Sequence, residues 1–90
     1  MGLHQSFRFN HTSPEEVREF LRGLVEVAAL QERGDFFVFS QRPGEAPFTF
    51  DCELVPEGLN SERAGEYFTF LGLVVEALTG RFGRVEVDDL

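Results

Sequence analysis

Positions 3–10 alternate between apolar and polar. Leu3, Gln5, Phe7 and Phe9 fall on one side of an extended chain, and His4, Ser6, Arg8 and Asn10 on the other. This is the pattern of a half-buried strand. The period changes at Ser13. Ser13 predicts an N-cap, Pro14 suits the first helical position, and Glu16 completes a capping box. Val17, Phe20, Leu21, Leu24, Val25 and Ala28 then recur at helical spacing, with Arg18, Glu19, Arg22 and Glu26 opposite. A helix patterned in this way is single-faced and lies on a sheet. Arg33 and Gly34 are expected to supply its C-terminal charge and cap.

A short apolar run follows from Asp35 to Ser40, then turn chemistry over residues 41–46. From Pro47 to Val55 the chain alternates again, with Phe48, Phe50, Cys52 and Leu54 against Thr49, Asp51, Glu53 and Val55. Two strands around that turn make a hairpin. Residues 56–60 are expected as a loop. Asn60 or Ser61 then caps a second helix, with Ala64, Tyr67, Phe68, Leu71, Val74, Val75 and Leu78 as its core stripe and Thr79-Gly80 as its end. A last strand within 81–88 turns Val85 and Val87 inward and Arg84, Glu86 and Asp88 outward. The order β-α-β-β-α-β predicts an α+β, ferredoxin-like two-layer sandwich. It has a four-stranded antiparallel sheet and two helices on one face. Strands one and three are central, and two and four are at the edges.

Composition narrows the picture. The chain has 90 residues, enough for a single domain over 1–90. One cysteine excludes an internal disulfide framework. The start has no basic region before an apolar run, and Phe70–Val75 is far too short to span a bilayer, so a cytoplasmic protein without membrane contact is expected. The net charge of −8 argues against nucleic acid. All eight basic residues are Arg, and neither Lys nor Ile occurs, which suggests a GC-biased, bacterial genome. The 11 Phe residues are spread along the chain and belong to one core.

Candidate chemistry is sparse. Cys52 has no second cysteine for metal transfer, and its phase turns it into the core. No aromatic pair stands on the open sheet face for stacking bases. The loop Asn10-His11-Thr12-Ser13 lacks the Gly-rich, Arg-bearing form of an acylphosphatase anion loop. His4 and Cys52 point to opposite faces, and His11 has no identifiable partner, so no nucleophile–base pair forms. No catalytic, cofactor-binding or metal residue follows from the sequence, and no cofactor. The open face collects Asp51, Glu53, Glu86 and Asp88 around His4 and Arg8. It is either a solvated polar surface or a hard-cation site.

Partner signals are stronger. The second helix carries Phe70, Leu73 and Ala77 away from its core stripe, either as an interface or as apolar surface covered within the monomer. Phe36, Phe37, Val38 and Phe39 are apolar on both faces of an expected edge strand, which leaves Phe36 and Val38 as further contact residues. The expected function is a small, acidic, non-enzymatic interaction or regulatory domain that forms a homodimer or docks on another protein. The alternatives are a small-ligand-binding regulator or enzyme using Asn10, His11 and the acidic face, and an acidic decoy for a basic protein.

Overall fold

A computed structural model describes residues 3–90 of the chain. The elements run β1 (Leu3–Phe9), α1 (Pro14–Gly23), a 3-10 turn (Leu24–Glu26), β2 (Ala29–Arg33), β3 (Phe36–Ser40), β4 (Phe48–Val55), β5 (Gly58–Gly65), α2 (Phe68–Phe82) and β6 (Val85–Asp89). The six strands form one antiparallel sheet in the order β2-β3-β4-β5-β1-β6. The ferredoxin-like expectation of four strands is therefore corrected to six within an α+β fold. β3 lies inside the sheet between β2 and β4, not at an edge.

The two additional strands have local causes. The helical stripe of α1 stops at Gly23, and Leu24–Glu26 close a single 3-10 turn. The next residues pair with β3 from Ala29↔Ser40 to Arg33↔Phe36. Gly34, at φ 59, makes the tight turn between the strands. Arg33-Gly34 is thus a hairpin corner, not a helix end. α1 fastens this corner. Arg18 donates to the Gly34 carbonyl at 2.8 Å and pairs with Asp35, and Arg22 forks onto Glu32 at 2.9 and 2.8 Å.

β5 replaces the expected loop and helix start. Its residues are polar, yet it pairs with β4 on one side and β1 on the other. Gly58, at φ 149, passes so close to β1 that a Cβ there would collide with the Phe7 carbonyl oxygen. The turn before it closes on the sheet, with the Phe9 amide donating to the Glu57 carbonyl at 3.1 Å.

The register places Phe7 and Phe9, Phe37 and Phe39, Phe50 and Cys52, and Leu59 on one face, and all are buried. Both helices cover that face. α1 contributes Val17, Phe20 and Leu21, capped by the Ser13 hydroxyl, which accepts from the Glu16 amide. The Glu16 carboxylate in turn accepts from the Thr12 amide at 3.2 Å. α2 contributes Phe70, Val74 and Leu78. The helices meet where the Phe20 and Phe82 rings lie 5.5 Å apart. Among the described residues no helix lies on the opposite face of the sheet.

α2 begins at Phe68, eight residues after the expected Asn60 cap, with Tyr67 in the cap position and no side-chain cap. The later start takes Ala64 out of the helix, and the buried stripe is centred on Phe70, Val74 and Leu78. Phe68 turns outward, and Phe70, expected on an outer stripe, is only 3 % exposed. The Phe70 ring sits among Phe39, Phe48 and Phe50, with centroids 5.1 to 5.3 Å away.

Candidate functional site

No helix among the described residues is long and apolar enough to cross a membrane. Among those residues there is also no cluster of three or more His, Cys, Asp or Glu side chains suited to a metal ion. Among the described residues the candidate surfaces are one helix face, one sheet face and one loop cavity.

α2 is rich in apolar residues, with Thr69, Glu76, Thr79 and Arg81 among its exposed positions. Across Phe68–Phe82 its only charged residues are Glu76 and Arg81. A helix covering a sheet needs one apolar stripe, and α2 meets that need with Phe70, Val74 and Leu78. Its outward side still exposes Phe68, at 69 %, and Leu73, at 41 %. Ala77 is half-buried against the core. The expected trio therefore separates, with Phe70 inside, Ala77 at the margin and Leu73 outside. Gly72 and Gly80 are exposed on α2, and a Cβ at either would meet nothing within 4 Å. Each costs about 1 kcal/mol of helix stability relative to Ala, and no contact among the described residues requires them. A groove of about 320 Å³ runs beside the helix, lined by Val27, Ala46, Phe48, Thr69 and Leu73 among others.

The bare sheet face carries the acids. The register lines up Val38, Asp51, Glu62 and His4 across four strands, and Phe36, Glu53, Asn60, Ser6 and Asp88 across five. Phe36 is 51 % exposed, and Val38 is half-buried beside Asp51. A hollow of about 190 Å³ lies here, lined by His4, Phe36, Asp51, Glu53, Glu62 and Leu90 among others. Asp51 and Glu62 stand directly opposite each other, an arrangement of like charges that destabilises a sheet. Asp51 Oδ1 is buried without a hydrogen-bond partner. Burial, and then the Glu62 charge, push the Asp51 carboxyl above its ordinary range. Ionising Asp51 thus costs stability as pH rises through its ordinary titration range, and an added positive charge in the hollow reverses that cost.

The third feature is a cavity of about 460 Å³ where β1 ends, lined by Arg8, Asn10, His11, Glu57, Arg84 and Glu86 among others. His11 Nε2 lies 3.0 Å from the Pro56 carbonyl, and its Nδ1 is buried without a partner. Arg8 pairs with Asp88, and Arg84 with Glu86 at 3.5 Å.

Cys52 lies in the core on the helix side, its thiol pushed far up by burial, while His4 is on the opposite face. The two cannot act together. Phe68 was expected on the inner stripe and Glu62 had no assigned role, because the second helix was expected to begin at Asn60 or Ser61. At the observed start of α2 the Tyr67 and Phe68 rings stack at 4.6 Å. No protein family, no curated protein and no solved structure matches this chain.

Proposed function

We propose that the protein is a small acidic interaction domain that self-associates through the outward face of α2. One observation carries this reading: on the side that its own sheet does not cover, α2 exposes the large apolar side chains Phe68 and Leu73. The charge pattern favours a second copy as the occupant. The chain has a net charge of −8, yet Glu76 and Arg81 cancel within α2. The helix is therefore a surface on which two acidic copies approach without strong repulsion. Gly72 and Gly80 leave that face flat enough for a close helix–helix approach, with Leu73 and Phe68 as the projecting anchors.

The test is sedimentation velocity on the variants Leu73→Glu and Phe68→Ser. Each should weaken dimerisation by about 30-fold or more, the effect of losing a hot-spot residue, with helix content unchanged. Unaltered association in both variants overturns the reading.

A second reading follows from the cavity at the end of β1, which Arg8, Asn10, His11 and Arg84 line. It makes the protein a binder of a small polar ligand. A ligand held there at a hundredfold above its dissociation constant should add about 2.7 kcal/mol of stability. A thermal-shift panel of phosphate, small dicarboxylates and amino acids tests it, and a flat response across the panel removes it.

A further inference from the structure

We propose that β2 is a strap: it leaves the sheet before the rest of the fold opens, and while in place it stops the edge of β3 from pairing with the β3 of a second copy. This inference does not rest on self-association through α2, which uses the helix layer.

β2 is an outermost strand and pairs with β3 alone. Four of its five residues are exposed, and Leu30 is the one that packs against the core. Little apolar burial therefore holds it, and a segment held in this way opens at a lower cost than the whole domain. Its fastening is to α1. The Arg22 guanidinium forks onto the Glu32 carboxylate at 2.9 and 2.8 Å. Arg18 donates to the Gly34 carbonyl and pairs with Asp35 at the hairpin corner. Arg22 is half-exposed, so water and salt weaken this clasp.

The strand beneath β2 needs a cover. Among the described strands, β3 is the one without a charged residue, and it reads Phe-Phe-Val-Phe-Ser over Phe36–Ser40. Phe37 and Phe39 are fully buried on the helix side, and Phe36 is exposed on the bare face. A short uncharged run without proline pairs readily with a copy of itself once its edge is free. The opposite end of the sheet differs, since loss of β6 uncovers β1, which carries His4 and Arg8. The occupant of a freed β3 edge is the β3 of a second copy, because two uncharged edges meet without the repulsion that a net charge of −8 sets up between acidic surfaces. The hydrogen bonds divide the β3 amides into two sets. Gly34 and Asp35 form a two-residue turn closed by Arg33 and Phe36. The Asp35 carbonyl accepts from the Leu54 amide of β4 at 2.8 Å. By the strand period of two, the Phe37 and Phe39 amides also face β4, and those of Val38 and Ser40 face β2.

The experiment is amide hydrogen exchange by NMR on the full chain, with assembly followed by light scattering. The Val38 and Ser40 amides should exchange about tenfold or more faster than those of Phe37 and Phe39. Arg22→Gln should widen that ratio about threefold or more while leaving Phe37 and Phe39 unchanged. Glu32→Gln opens the same clasp from the other side and should do the same, so the test survives if one variant fails to fold. Both variants should form assemblies larger than a dimer on incubation, and adding Val38→Lys, a charge beside the freed edge, should abolish them. Equal exchange of the four amides in the unmodified protein overturns the proposal. It is equally overturned by an unchanged ratio in both variants, by no assembly in either, or by assembly that persists with Val38→Lys.

Discussion

Phe70→Ala should destabilise the fold by about 3–5 kcal/mol, the range for truncating a buried phenylalanine. That is a large part of the 5–15 kcal/mol that holds a typical domain. Phe70 is the piece of α2 that reaches the deepest aromatic cluster, touching Phe39 of β3, Phe48 and Phe50 of β4. Its loss removes the aromatic contacts of α2 with β3 and β4. The cavity left behind cannot collapse easily, since each neighbouring ring is fixed on a strand. A urea titration should show a much lower midpoint with an unchanged slope. Leu73→Ala, three residues on, serves as the contrast. Leu73 is 41 % exposed, so its truncation should cost under about 1 kcal/mol in the dissociated protein. Equal losses at the two positions contradict the helical phase described above.

The second large effect is at Gln5. Arg63 is 4 % exposed and lies on the helix side of β5. Its Nη2 donates to Gln5 Oε1, while Nε and Nη1 have no hydrogen-bond partner. The guanidinium is otherwise held by ring faces, with its carbon 5.0 Å from the Tyr67 centroid and 5.8 Å from that of Phe50. Gln5 Nε2 donates in turn to the Asp89 carboxylate at 3.0 Å, so Gln5 links the buried cation to an acid at the sheet edge. Gln5→Ala takes the one hydrogen-bond acceptor from a buried charge and should cost about 2–3 kcal/mol. Arg63→Met keeps the stem volume without the charge and should be neutral or stabilising. In the Arg63→Met background, Gln5→Ala should cost under about 1 kcal/mol. A double-mutant cycle by chemical denaturation measures this coupling, and additive losses overturn it.

Much of this was legible from pattern alone. The alternation of Leu3–Phe9 and of Phe48–Val55 marks β1 and β4. Ser13-Pro14 marks the start of α1. The phase of Cys52 puts it in the core, and that of Asp51 and Glu53 puts them on the bare face. The failures share one physical cause, which is that strand pairing can hold segments whose own pattern says helix or loop. Leu24, Val25 and Ala28 continue a helical spacing past Gly23, and Arg33-Gly34 imitates a helix cap. The chain instead leaves the helix and pairs with β3. Asn60-Ser61-Glu62-Arg63 imitates a helix start, yet its backbone bonds go to β1 and β4. Neighbouring strands satisfy those groups, so β5 needs no apolar alternation of its own. Moving the helix start from Asn60 to Phe68 removes Ala64 and Tyr67 from the stripe that had fixed the expected inner face. It sends Phe70 inward and Phe68 outward, and it returns Glu62 to the sheet beside Asp51. The candidate surfaces depend on that one boundary, and a boundary held by long-range pairing leaves little trace in local sequence.

The most direct test of self-association through α2 is the absolute mass of the unmodified protein by light scattering after size exclusion, across a dilution series. The account predicts a species of twice the 10.2 kDa chain mass that dissociates on dilution. A mass of 10.2 kDa at every concentration up to the millimolar range contradicts it.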